Sequence, residues 1–214
     1  MTARPAGPLV GVFALQGDVA EHERVLAGLG ARVRPVRSAA DLEGLAGLVL
    51  PGGESSVMDK LSRLLGVAPA LRQAIDAGLP VYGTCAGMIM LAETIANPIV
   101  GQRSLGGLDI TVQRNAFGAQ VDSFETWLDV PQVSREPVHA VFIRAPAVLR
   151  ASGEVQVLAS VPASRLESGR TAGGEVPVAV RQGHLLATSF HPEVTGDWSF
   201  HRYFLERMVS PSGS

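Results

Sequence analysis

Cys85 is the only cysteine of the 214-residue chain, and it lies in Gly83-Thr84-Cys85-Ala86-Gly87 after the apolar run Leu79 to Tyr82. Glycine on both sides permits a tight bend from strand into helix and removes the side chains that would block it. A nucleophile on such a bend is exposed at the carboxyl edge of a sheet. It also faces the N-terminus of the following helix, which favours negative charge on the sulfur. Most free cysteines are small buried hydrophobes, but a core cysteine does not need a glycine on each flank. A thiol that attacks carbonyl carbon needs a base nearby. His191-Pro192-Glu193 supplies one, directly after the strand-like run Leu185 to Phe190. In an extended segment residues two apart face the same way, so Glu193 can sit beside His191, fix its tautomer and stabilise its charged form, with Pro192 stiffening the link. The expected catalytic set is Cys85, His191 and Glu193.

Acyl transfer also needs donors for an oxyanion. Pro51-Gly52-Gly53-Glu54-Ser55 follows a third apolar strand, so the N–H of Gly53 can meet the N–H of Ala86, the residue after the nucleophile, in a two-donor hole. The same five residues also read as an ordinary glycine-rich turn or a phosphate cradle. The Lys-Ser/Thr ending of a P-loop is missing, and Gln16-Gly17-Asp18 after the first strand carries no dinucleotide fingerprint. The remaining histidines, His22, His139, His184 and His201, read as structural or solvated, and no pair has ligand spacing. No metal and no cofactor are expected.

These groups need elements to hold them. Leu9 to Leu15, Arg32 to Val36, Ala46 to Leu50 and Leu79 to Tyr82 read as strands. Between them, Val19 to Leu29, a helix capped by Ser55 or Ser56 and running to about Leu65, and Pro69 to Ala77 read as helices. Strands separated by helices imply parallel pairing. The second half is different: Leu108 to Arg114, Val138 to Ile143, Val155 to Ala159, Val176 to Arg181 and Leu185 to Phe190 are strand-like with few helices between them. This predicts antiparallel strands extending one mixed sheet. Trp198 to Val209 reads as a closing amphipathic helix, Pro162 to Gly174 as an exposed, disordered loop, and residues 210–214 as a disordered tail. Residues 1–209 are expected to form a single domain.

Composition narrows the function classes. With 46% hydrophobic and 18% charged residues the chain can build a core. Its 18 basic against 20 acidic residues and pI near 6.2 offer no basic stripe for nucleic acid. Apolar runs far shorter than the roughly 20 residues of a membrane span, a first segment broken by Pro5 and Pro8, and a lone thiol together predict a cytoplasmic protein.

The Cys85 elbow, the Pro-Gly-Gly-Glu-Ser loop and His191-Pro192-Glu193 resemble the class I glutamine amidotransferases. Ala14-Leu15-Gln16-Gly17, Glu21-His22, Arg114 to Gly118, Asp122 to Glu125 and Phe142 to Pro146 are more closely similar to the glutaminase subunits of pyridoxal phosphate synthase, over about Val10 to Phe204. The resemblance implies a three-layer flavodoxin-like α/β fold with a mixed, mostly parallel central sheet. It also implies L-glutamine as substrate and a (β/α)8-barrel synthase subunit as partner. It makes Cys85 the nucleophile with His191 and Glu193 as relay, and puts Gly53, Glu54, Ser55, Arg114, Ile143 and Arg144 at the bound glutamine. Guanidinium forks at Arg114 and Arg144 suit a carboxylate, although surface or structural arginine is their default. The loop 162–174 is longer than this family needs. A cysteine hydrolase of similar fold, such as a glutamyl-peptide hydrolase or a DJ-1-like protein, would share the elbow.

Overall fold

The structure is a computed structural model that describes residues 7–117, 123–166 and 174–210. The first half alternates as predicted: β1 (Leu9–Phe13), α1 (Val19–Gly28), β2 (Arg32–Val36), β3 (Gly47–Leu50), α2 (Ser55–Leu64), α3 (Ala68–Asp76), β4 (Val81–Thr84) and α4 (Ala86–Leu91). The cap of α2 is Glu54, one residue before the predicted serines; its carboxylate accepts hydrogen bonds from the backbone and hydroxyl of Ser56. The second half supplies β5 (Ala92–Ile95), β6 (Leu108–Gln113), β7 (Phe124–Leu128), β8 (Val138–Phe142), β9 (Ala147–Ala151), β10 (Gln156–Pro162), β11 (Glu175–Gln182) and β12 (Leu185–Thr188). The last elements are α5 (Pro192–Thr195) and α6 (Ser199–Phe204).

Seven strands form the central sheet in the order β10-β11-β12-β4-β3-β1-β2. The five from β12 to β2 are parallel, and β11 and β10 add antiparallel pairing at one edge. The sheet is thus mixed and mostly parallel, as expected. Its middle strands are covered on both faces. Val10, Val12, Val49, Tyr82 and Leu186 face one core with Leu26 of α1 and Phe200 and Phe204 of α6. Leu48, Leu50, Val81, Leu185 and Ala187 face the other, with Met58, Leu71, Ile75 and Met88 of α2, α3 and α4. Such continuous apolar strands belong to a parallel sheet sandwiched between helices.

Two predicted strands lie elsewhere. β6 joins β5 and β9 in a three-stranded sheet, and β8 pairs with β7 alone, so neither extends the central sheet. Their sequences carry the reason. In β6, Leu108, Ile110 and Val112 are buried while Asp109, Thr111 and Gln113 are half-buried, and β8 alternates in the same way. That is the pattern of a sheet with one face on the core and one toward solvent. The closing helix is also shorter than predicted: α6 gives way to a π-type turn over Leu205–Val209. The centre of the predicted 162–174 loop, Gly118 and Asp122 of the family-like segments, and residues 211–214 lie outside the described residues. Among the described residues no helix is long and apolar enough to cross a membrane.

Candidate active site

Four neighbouring parallel strands end at one edge, and each delivers one part of the site. After β4 comes Cys85; after β12, His191; after β3, the Gly52-Gly53-Glu54 loop; after β1, the Gln16-Gly17-Asp18 turn. In register, Thr84 of β4 pairs with Thr188 of β12, and the Cys85 N–H donates to Thr188 O at 2.8 Å. Cys85 and His191 are therefore brought together by strand pairing, and both line one cavity. Ligands of open α/β sheets collect at the carboxyl ends of the strands in this way.

Cys85 sits at φ 46°, ψ −100° as the cap of α4, a conformation that costs about 1–3 kcal/mol for a residue with a side chain. The flanking glycines are needed for close approach: a Cβ on Gly87 would strike the carbonyl of Leu50, and one on Gly83 would come within 2.6 Å of Gly87.

His191 Nδ1 donates to Glu193 Oε1 at 2.8 Å, and its backbone N–H donates to Val141 O of β8 at 3.0 Å. The predicted extended geometry holds only for His191. Pro192 opens the short helix α5, so Glu193 reaches the ring from a first helical turn, the place where proline is favoured. Asp18 is a second carboxylate at the same nitrogen, with Oδ2 3.4 Å from Nδ1. Burial works against the charged imidazole, but hydrogen bonds to Asp18, Cys85 and Glu193 and the charge at Cys85 push His191 up to about 12. Its hydrogen bond to His191 holds Asp18 below the usual carboxylate range, while burial raises Glu193 above it.

Cys85 and His191 open onto a cavity of about 430 Å³, within the ~300–1,000 Å³ of small-molecule clefts. Of the predicted set, Cys85, His191, Gly53, Glu54, Ser55, Arg114, Ile143 and Arg144 line it. Glu193 stands behind His191, and Ala86 is buried at the start of α4. Arg114 is committed to a partly buried ion pair, its Nη2 donating to Glu54 Oε1 at 2.8 Å. The wall also contains Gln16, Asp18, Ile89, Asn115 and Val194, which the chemistry-bearing motifs did not flag. The signal for Gln16 and Asp18 was positional, since the end of a central strand places a residue at the edge whatever its type. Cys85, Asn115 and Arg144 are the only non-glycine residues with positive φ among those described, and all three line this cavity.

Gln16 and Asp18 also fasten the glycine loop. The Glu54 N–H donates to Gln16 Oε1 at 2.8 Å, and the Asp18 N–H donates to Gly52 O at 3.1 Å. Gly53 has φ 147°, and a Cβ there would collide with the Gln16 amide, as one on Gly52 would with the His191 ring.

Three buried histidines at and behind the site carry a pH dependence. His22 and His201 are fully buried; burial holds His201 at about 3 and His22 well below its usual value. Between those values and the unfolded 6.5 the unfolded chain binds protons that the folded chain does not, so stability falls as pH drops below 6.5. His191 acts oppositely: its stabilising share is complete below 6.5 and is lost as pH rises toward 12. His201→Phe should therefore reduce the stability lost between pH 7.5 and pH 5 by about 2 kcal/mol. Denaturant melts of both proteins at the two pH values measure this, and equal losses would remove His201 from the acid response.

The SNO glutamine amidotransferase family profile matches residues 12–210. The chain is 62% identical over 207 residues to a protein named pyridoxal 5'-phosphate synthase subunit PdxT from Clavibacter michiganensis subsp. michiganensis, covering 97% of this chain and 93% of that one. A protein of the same name from Leifsonia xyli subsp. xyli is 58% identical, with 94% and 96% covered. A crystal structure described as a glutamine amidotransferase superposes with a TM-score of 0.80 at 46% identity, covering 92% of this chain and 96% of that one. With full-length kinship of this strength, the chain belongs to the SNO glutamine amidotransferase family.

Proposed function

We propose that this chain is the glutaminase subunit of a pyridoxal 5'-phosphate synthase, a single cytoplasmic domain over residues 1–209 that hydrolyses L-glutamine and passes ammonia to a (β/α)8-barrel synthase subunit. The observation that carries the reading is that Cys85 and His191, the latter held by Glu193 at 2.8 Å, line one cavity with Glu54, Arg114 and Arg144. A guanidinium and a carboxylate on one wall suit an α-amino acid, which presents a carboxylate and an ammonium side by side.

The Cys85 sulfur attacks the side-chain amide carbon, the C–S bond forms, and the carbonyl electrons move onto oxygen, where the N–H groups of Gly53 and Ala86 receive them. His191 gives its proton to the nitrogen, the C–N bond breaks, and ammonia leaves a glutamyl thioester. Water gives a proton back to His191 as it attacks the thioester, freeing glutamate and restoring the thiolate. Glu193 holds the imidazole throughout.

The glycine loop gives a reason for coupling to a partner. While Asp18 and Gln16 grip Gly52 and Glu54, the Gly52-Gly53 peptide is pinned; a partner that draws on the 16–18 turn releases it, and glycine reorients at little steric cost. Ammonia release from glutamine is expected to rise about 10²-fold when the synthase subunit is added, the worth of one oxyanion donor. Equal rates with and without it would refute the coupling. A glutamine-analogue electrophile should label Cys85 in the mixture, read by peptide mass mapping; an unlabelled Cys85 would overturn the glutaminase assignment.

A further inference from the structure

Behind Glu193 lies a buried polar cluster that the proposed chemistry does not use. His22 of α1 has no exposed surface, and neither has His201 of α6. His22 Nδ1 is 2.8 Å from His201 Nε2. Its other nitrogen, Nε2, is 3.1 Å from the hydroxyl of Thr84 and 3.7 Å from Glu193 Oε1. The first is a hydrogen bond; the second is too long for one, but it places a ring edge against a buried carboxylate. Among the described residues, Glu193 Oε2 and His201 Nδ1 have no hydrogen-bond partner.

Two neutral imidazoles share two protons, and the surroundings decide where they sit. Were His22 protonated at Nδ1, it would donate to His201 Nε2. His201 would then carry its proton on Nδ1, a buried donor with nothing to receive it, and His22 would turn a lone pair toward the Glu193 carboxylate. Both are costly. With the protons reversed, His201 Nε2–H donates to His22 Nδ1, and His22 Nε2–H points at Thr84 and Glu193. The unpartnered atom of His201 is then only an acceptor. The second arrangement wins on both counts.

We infer that His22 is a positioning residue of the triad: its Nε2–H, directed there by His201, faces the Glu193 carboxylate and the Thr84 hydroxyl and so holds the segments that carry His191 and Cys85. Thr84 precedes the nucleophile in the chain, and Glu193 is the partner of the base, so one imidazole edge touches both supports. The titratable groups around Glu193 are His191 of its own segment, Asp18 and His22 from the start of α1, and Tyr82 of β4. Around His201 they are His22, Tyr82 and Asp197, and Asp197 is occupied by the N–H groups of His139 and Ser199. Among these, the His22 N–H alone adds a donor toward Glu193 besides His191.

This inference rests on the glutaminase reading for its meaning, but its test does not. Cys85 is the only thiol, so its alkylation by iodoacetamide against pH reports the Cys85–His191 pair without any substrate. Losing the ring in His22→Leu removes what keeps Glu193 and Thr84 in place, so Glu193 is less well aimed at the imidazolium, which in turn stabilises the thiolate less. The acid limb of alkylation should move up by about one pH unit. His22→Gln, whose amide keeps an N–H at the Nε2 position, should restore it to within a few tenths. His201→Phe, which frees the His22 tautomer, should move the limb in the same direction by less. Proton-detected nitrogen spectra of the full-length wild-type protein should show His22 and His201 both protonated at Nε2. A lowered melting temperature in His22→Leu with an unmoved alkylation limb, or a proton found on His22 Nδ1, would overturn the inference. If His22→Leu fails to fold, the Gln and Phe variants and the spectra decide. An idle wild-type glutaminase with these shifts intact would sink only the reading of function.

Discussion

Cys85→Ala is expected to lower glutamate release, with the synthase subunit present, by about 10⁴-fold or more, because the nucleophile has no substitute. Cys85 is the only cysteine in the chain, and the hydroxyl of Thr84, its chain neighbour, belongs to a fully buried side chain bonded to His22. The fold should persist, since alanine occupies the same elbow conformation and removes one buried atom. Glutamate measured by a coupled dehydrogenase assay, together with an unchanged melting curve, tests both halves. Turnover above about one hundredth of wild type would put the chemistry somewhere other than this thiol.

Glu193→Gln comes next in size. An amide in that place can present its N–H to Nδ1 and favour the wrong tautomer, and such a change at the third member of a triad costs up to about 10⁴ in kcat. Here the loss should be nearer 10²-fold, because Asp18 lies 3.4 Å from the same nitrogen and remains negative. The double variant Asp18→Asn with Glu193→Gln should fall well below the product of the single losses, since each carboxylate covers for the other. Steady-state rates for the four proteins measure this. Independent, multiplying losses would show that Asp18 does not support the imidazole.

How much of this could be read beforehand follows from the physics of each part. The parallel half was legible because β1, β3 and β4 follow apolar runs stopped close by glycine or proline, and the helices between them repeat at helical spacing. The proposed catalytic set could be picked out because its members carry reactive atoms and follow strands, and the structure places Cys85 and His191 on one cavity with Glu193 bonded to His191. What escaped was of two kinds. β5, β7 and β9 are short and partly exposed: Ala92–Ile95 has two exposed residues, Trp127 of β7 is exposed, and so are Leu149 and Arg150 of β9. Residues such as Gln16, Asp18 and Asn115 earn their roles from three-dimensional neighbours that no local pattern records. His22 is the sharpest case. Its neighbours are Thr84, Glu193 and His201, drawn from three distant stretches, so as a lone helical histidine it looked structural.

Arg144 and Asn115 hold left-handed backbones at the mouth of the cavity beside the Cys85 elbow. Glycine at either position would relax the chain there. A programme that breeds this protein for heat resistance alone would be drawn to those two sites early, trading away the arginine and the amide that shape the entrance. Hardiness and turnover therefore compete along this one rim, and variants should be screened for both at once.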